Sequence, residues 1–585
     1  MSAKRVPSCE PCRLVKLACD HQHPVCSRCI KRGIDSKCEY RKNAFKRIRP
    51  QESQRPSPEA MQSSPADHFQ SRCTAAQSTS SSTPQSLHQS DIGQSVVLSQ
   101  LKLYPSPGFQ GPSSLASMLD NLGRRGLPPP PGSEHAGLSN EEASRMDALS
   151  MNRLSMIEDG VSILDMLLAV MVDDFLDRVF TAWKGCGLES HLGSFLVSSF
   201  VDTMSQEINL LQSSHSWRAN LFALSQRIFD RGSQPVELDT STTLRDFVNH
   251  FTGPSLRWET VGVILTLIGI AAAETRAPNA ICNSEQERQI LRMNMVNCAN
   301  KCASFCESFD MSNDVQIIFL YQNFLLQSVF YGDQSFKTWH AFNDAANALL
   351  AAGLHQKPQD APNVPFFLLE MRKRIFVRFY STDITMATFL GRPPRISKRF
   401  CTVDLPSDLN ETVLSLRGPA LETELQKLNA DGWNTTGQIH SGTVQRWAMT
   451  TSMIREDVLE LLLGHGKADV VQVTSALRER LMEAWAYLPS RMVVSSLNVW
   501  KERTDREEAE CLHLIRLYYL HTAFLIEWAA WSQASLEPDD LFRSATELLA
   551  WVNQALVRRE SLPKLGFISL AWRPVSGAAI FEDLG

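Results

Sequence analysis

The sequence predicts a small cysteine-rich module, then a disordered linker, then a large all-α domain. Three observations predict this. Six of the chain's 14 cysteines fall within residues 9–38. Ser, Gln and Pro dominate residues 50–140. From about residue 141 to the end, apolar residues recur at helical spacing, and alternating apolar–polar runs bounded by turn residues are scarce.

The first element is the stretch CEPCRLVKLACDHQHPVCSRCIKRGIDSKC, from Cys9 to Cys38. Cys9/Cys12 and Cys26/Cys29 are C-x-x-C pairs, and each is followed by one further cysteine, Cys19 and Cys38, so the two halves look like a repeat. A C-x-x-C turn lets two thiolates converge on one ion, and tetrahedral thiolate sites suit zinc. Six thiolates are too many for one zinc and too few for two separate four-thiolate sites. The count balances if two thiolates bridge two ions. Two other readings stand beside this one: a disulfide framework, and a single-zinc ribbon with two spare cysteines. The N-terminus MSAKRVPSCE has no apolar segment of the kind a secretory signal carries, which favours an intracellular, reduced setting over disulfides.

The spacing of the six cysteines resembles the fungal binuclear zinc-cluster DNA-binding domain. The likeness extends to Arg13, Lys16, Asp20, Pro24 and Tyr40. It implies two zinc ions per chain, with Cys9 and Cys26 as bridging ligands. Cys12 and Cys19 would complete one ion, and Cys29 and Cys38 the other. It also implies a short helix over Arg13–Ala18 whose end enters the major groove of double-stranded DNA. There Lys16 would read a CGG-like triplet and Arg13 would sit beside a phosphate. A lysine suits that task because guanine O6 and N7 are both acceptors. The sequence departs from the family string at Val15 and Ala18, where basic residues are usual. Arg28, Lys31 and Arg32 of the second half, or Arg41, Lys42, Lys46, Arg47 and Arg49 behind it, are placed to compensate. His21 and His23 read as loop residues, because the thiolates already complete both ions.

Charge points the same way. Residues 1–50 carry 13 lysines and arginines against four acids, a net +9 that leaves −14 for the rest of a chain whose total is −5. A basic head on an acidic body suggests a polyanion held by the head. The run Arg41–Arg49 (RKNAFKRIR) reads as a nuclear localisation signal and a phosphate-tracking arm. Four prolines, Pro50, Pro56, Pro58 and Pro65, follow it, so no coiled coil adjoins the cluster.

Residues 50–140 cannot bury enough apolar surface to order themselves and read as a linker. Gly108–Leu122 (GFQGPSSLASMLDNL) interrupts them, as either a short docking helix or an apolar spot. Beyond residue 141, helices are expected near 255–275, 284–309, 313–331, 337–353, 366–390, 442–464, 470–487, 506–532 and 538–557. Val261–Ala273 is too short to span a bilayer, and polar residues interrupt Leu512–Trp531, so both read as core helices and no membrane segment is expected. Cys298, Cys302 and Cys306 share one helix face, as buried small hydrophobes or as a thiol site.

Trp339–Pro406 resembles the core of the fungal transcription-factor middle homology region. The residues that carry the likeness are Trp339, Ala352-Gly353-Leu354-His355, Glu370, Arg372-Lys373-Arg374, Phe376, Tyr380, Asp383, Leu390-Gly391-Arg392-Pro393 and Asp404-Leu405-Pro406. These read as structural: Gly353 and Gly391 end helices, and Glu370 and Arg374 are spaced as an i, i+4 pair.

Residues 1–45 are thus expected to be the zinc cluster, with the basic arm reaching 49. Residues 50–140 are the linker and 141–585 the regulatory domain. The resemblance implies a nuclear, sequence-specific transcription regulator of RNA polymerase II genes that contacts DNA and the transcription or chromatin machinery. An architectural subunit of a chromatin-remodelling complex is the alternative. An enzyme is not expected, since no G-x-G-x-x-G, Walker, G-x-S-x-G or H-E-x-x-H motif occurs.

Overall fold

The computed structural model describes residues 9–14, 19–40, 109, 111, 113–114, 140–171, 174–185, 194–212, 217–274, 281–309, 312–357, 364–464, 469–494, 499, 506–534 and 537–557. The chain divides into two units between Leu87 and His88. Among the described residues there is no strand, and no helix is long and apolar enough to cross a membrane.

In the first unit, α1 (Glu10–Leu14) and α2 (Ser27–Lys31) are single turns, each starting inside a C-x-x-C pair. A 3-10 turn, Asp35–Lys37, leads into Cys38. The core here is Cys9, Cys12, Cys26 and Cys29, with Cys19, Val25, Ile34, Cys38 and Tyr40 packed around them. So little apolar surface cannot hold a fold unaided, so metal binding must supply most of the folding energy. The helix expected over Arg13–Ala18 begins earlier, at Glu10. The reason is local: Cys9 precedes the first turn as Cys26 precedes the second, so the C-x-x-C itself is helical. Residues 15–18 lie outside the described set.

The second unit is helical. It begins with α3 (Asn140–Val170), α4 (Phe175–Gly185), α5 (Ser194–Gln212), α6 (Trp217–Gly232) and α7 (Leu244–Asn249). Then come α8 (Trp258–Glu274), α9 (Glu285–Ser308), α10 (Asp314–Tyr331), α11 (Phe336–Ala351) and α12 (Phe366–Leu390). The short α13 (Gly418–Leu425) precedes α14 (Ser441–Leu463), α15 (Val470–Ala486), α16 (Arg506–Ala534) and α17 (Asp539–Val557). Caps explain several boundaries. Ser284, Asn313 and Asp469 accept backbone N–H bonds at the starts of α9, α10 and α15, and Thr243 with Asp246 forms a capping box before α7.

Two cores result. The first is centred on α8, whose residues Val261–Ala272 are buried on every side and pack against α4, α9 and α10. Gly262 permits that packing: a Cβ there would lie 2.3 Å from the Phe319 ring on α10. The second core joins α14, α15, α16 and α17 around Trp447, Leu512, Ile515 and Trp551. Helix α14 contributes to both cores. Residues Met156–Leu168 of α3 belong to the first, with Ile157, Ile163, Leu164 and Leu167 buried.

The middle homology motif is a set of clamps. Buried Asp383 on α12 accepts from the backbone N–H groups of Arg395 and Ile396, at 2.6 and 2.7 Å, and from the Arg395 guanidinium at 3.2 Å. That guanidinium also lies over the Trp339 ring, 4.3 Å from its centroid, and donates to the Trp339 carbonyl. Tyr380 donates to Glu456 of α14, which also accepts from Ser397 and from the Lys398 N–H. The i, i+4 pair expected for Glu370 and Arg374 does not form. Glu370 pairs with Lys373 and accepts from Ser407, while Arg374 donates to the Leu409 carbonyl. Both residues face the 405–410 segment, and its fixed carbonyl and N–H groups outcompete a helix-surface pair. Gly391 ends α12 in the left-handed region, as its motif position implies.

Candidate metal centre and nucleic-acid interface

The repeat in the sequence becomes a repeat in space. Cys9 and Cys26 each lie one residue ahead of a helical turn, and Cys12 and Cys29 lie within those turns. Cys26 caps α2, its Sγ accepting the Cys29 N–H at 3.4 Å. Cys19 and Cys38 close the two loops. A backbone bond from Glu10 N–H to the Glu39 carbonyl, at 2.9 Å, ties the two halves together.

The six sulfurs form two groups of four: Cys9, Cys12, Cys19, Cys26, and Cys9, Cys26, Cys29, Cys38. Within each group the sulfurs lie within 4.8 Å of one another, and Cys9 and Cys26 are common to both. Cys9 Sγ is 3.7 Å from Cys26 Sγ and 3.8 Å from those of Cys29 and Cys19, and Cys12 Sγ is 3.7 Å from Cys26 Sγ. A zinc–sulfur bond of about 2.3 Å in a regular tetrahedron requires sulfurs about 3.8 Å apart. All six thiols are free. The donor set therefore fits two zinc ions that share two sulfurs.

Electrostatics explains why the thiols need the metal. Burial pushes the Cys9, Cys12 and Cys29 thiols up, that of Cys29 to about 12. Burial also opposes the Cys26 thiolate, but the Cys29 N–H and neighbouring thiols hold it down at about 6. A divalent ion removes this conflict by deprotonating its ligands outright.

Other residues brace the cluster. The Asp20 carboxylate accepts the Ser27 N–H at 3.2 Å at the start of α2, and Ser27 Oγ donates to Gln22. The Tyr40 hydroxyl donates to the Gln22 carbonyl at 3.1 Å and lies 3.5 Å from Cys19 Sγ. His23 packs against the Tyr40 ring, with centroids 4.1 Å apart and planes tilted by 41°, consistent with a loop role. The Gln22–Ser27 contact escaped sequence reasoning; the only hint was two polar residues, Gln22 and Ser27, flanking the Pro24 loop.

The expected DNA contacts divide into two sets. Arg28, Lys31 and Arg32 are exposed on and just after α2, next to an exposed Ile30. The side chains of Arg13 and Lys16, and all of Arg41, Lys42, Lys46 and Arg47, lie outside the described residues. Cys302 and Cys306 are buried in the first core, and burial pushes both thiols well above their ordinary value, so they act as small hydrophobes.

Residues 7–47 match the fungal Zn(2)-Cys(6) binuclear cluster domain, and residues 261–418 match the fungal specific transcription factor domain. Over these two segments the chain is thus similar to the two domains of the fungal binuclear zinc-cluster transcription factors. The first is a domain that binds two zinc ions, and neither belongs to an enzyme family. The chain is also 22% identical over 421 residues to the Zn(2)-C6 fungal-type transcription factor mpsB of Macrophomina phaseolina (strain MS6). That match covers 68% of this chain and 49% of mpsB, so the chain spans about half the length of that relative. No solved structure matches it.

Proposed function

We propose that this zinc-cluster protein is a sequence-specific, DNA-binding regulator of transcription by RNA polymerase II, acting in the nucleus. Two zinc ions are held by Cys9, Cys12, Cys19, Cys26, Cys29 and Cys38, with Cys9 and Cys26 bridging. The pair of four-sulfur groups sharing those two residues supports this reading most directly. The zinc ions supply rigidity rather than reactivity, fixing α1 and α2 relative to each other.

On that frame Lys16 reads a CGG-like triplet in the major groove, and Arg13 contacts a phosphate. Arg28, Lys31, Arg32, Arg41, Lys42, Lys46 and Arg47 bind backbone phosphates, which sets affinity without specifying sequence. The cluster and arm occupy residues 1–49, the linker 50–140 and the regulatory body 141–585. The body's buried clamps support a structural scaffold that recruits or restrains the transcription machinery. The test is selection of binding sites from random duplexes by the zinc-loaded full chain. Enrichment of CGG-like triplets supports the reading, and binding without sequence preference refutes it.

A further inference from the structure

Helix α11 is closed just past its cap by Gly353 (φ +73°), whose N–H donates to the Leu350 carbonyl at 3.0 Å, while the Leu354 N–H donates to the Leu349 carbonyl at 3.2 Å. This is a Schellman ending, and it satisfies two of the carbonyls that a helix C-terminus leaves over. The carbonyl of Ala351, the last helical residue, is met from elsewhere. The N–H of Phe109 donates to it at 2.6 Å. Phe109 lies 242 residues upstream, within the Ser/Pro/Gln-rich stretch.

The Phe109 ring occupies the space beside Gly353 that a side chain would need. A Cβ on Gly353 would lie 2.8 Å from Phe109 Cδ2, 3.0 Å from Cγ and 3.1 Å from Cβ. Glycine is therefore required there twice, for its positive φ and for the ring. On a further side the ring meets His355 edge to face, with centroids 5.2 Å apart and planes at 88°. The Nδ1 atom of His355 is buried with no hydrogen-bond partner among the described residues, and burial lowers this histidine's pKa. Phe109 remains 42% exposed, so the seat covers one side of the ring and leaves the other open. Just past it, the Ser114 N–H closes a turn on the Gly111 carbonyl at 3.0 Å.

We propose that Phe109 and the Ala351–His355 end of α11 form an intrachain latch that moors the linker to the regulatory body. The seat has two parts: a notch without a Cβ, which admits one aromatic ring, and a spare carbonyl, which takes that residue's own N–H. Phe109 satisfies both at once, its ring beside Gly353 and its N–H on the Ala351 carbonyl. Tethering in the same chain makes Phe109 the resident occupant, because its effective concentration at the seat is far above that of a free peptide. The latch closes over Ala352-Gly353-Leu354-His355, part of the middle homology motif, so it ties the linker to that motif.

The test is hydrogen–deuterium exchange with mass spectrometry on the zinc-loaded full chain, following a peptide that spans residues 105–114. The latch predicts that the Phe109 amide exchanges about tenfold more slowly than the intrinsic rate for its sequence. F109A should return it to that rate while the thermal unfolding of the body stays unchanged. Exchange at the intrinsic rate in the wild-type chain would overturn the proposal. So would slow exchange that survives F109A.

Discussion

Cys9 Sγ lies 3.7 Å from Cys26 Sγ, and these two sulfurs belong to both four-sulfur groups. Removing either takes a ligand from both ions, whereas removing one of the other four takes a ligand from one. Metal analysis of the full chain should return about two zinc ions. Cys9→Ser and Cys26→Ser should each lose both, while Cys19→Ser and Cys38→Ser should retain about one. Equal losses across these four variants would contradict the shared-sulfur arrangement.

Base reading and phosphate binding should separate by residue. Lys16→Ala should cost about 1–3 kcal/mol on the preferred triplet and little on other duplexes. Arg28→Ala or Lys31→Ala should weaken all sequences alike and reduce the salt slope by roughly one per residue. Competition titrations at several salt concentrations check this. A uniform loss for Lys16→Ala would remove it from the base-reading role.

The prolines behind the cluster bear on oligomerisation. Each costs about 3 kcal/mol inside a helix, so a zipper through Pro50, Pro56, Pro58 and Pro65 is not expected. Residues 1–70 should therefore bind paired half-sites without a preferred separation. Cooperative binding at one fixed spacing would reveal a dimer interface in that fragment.

Gly262 is a packing requirement. Its Cβ-free face meets the Phe319 ring at a distance no real Cβ tolerates. Gly262→Ala should destabilise the body by about 1–3 kcal/mol through overpacking. Phe319→Leu in the same chain should recover part of that loss, because the clash is pairwise. Chemical denaturation of the two single variants and the double variant measures the coupling.

His513 is fully buried and stacked on Trp551, and burial pushes its pKa down to about 3. Its folded pKa lies below its unfolded value, so the unfolded chain takes up a proton first as pH falls. The neutral imidazole's contribution is complete above about pH 6.5 and is lost progressively toward pH 3. Between pH 7 and 5 this group alone should remove about 2 kcal/mol of stability. His521, shifted down by burial and by the Arg455 guanidinium, acts in the same direction. His513→Gln should lose measurably less stability over that interval. An unchanged pH slope would show that His513 is not among the groups responsible.

Much of the molecule was legible in residue order, because the information is local. Thiolates three positions apart in a turn can converge on one ion, so Cys9/Cys12 and Cys26/Cys29 announced a metal module. Helix starts and stops are written in caps and breakers, so the stretch expected at 284–309 appears as Glu285–Ser308, and that at 366–390 as Phe366–Leu390, closed by Gly391.

Partner choice was not legible, because it depends on groups distant in sequence. Spacing offered Glu370 to Arg374, yet Ser407 and Leu409 lie closer in space and take the two side chains apart. Nothing near Gly262 identifies Phe319, and nothing near Phe109 identifies Ala351. The sequence alone determined where helices begin and end and which thiols could share a metal, since periodicity, caps and ligand spacing act within a few residues. Only the tertiary structure decided which faces meet, because a buried hydrogen bond or a close glycine contact goes to whichever group packing brings nearest.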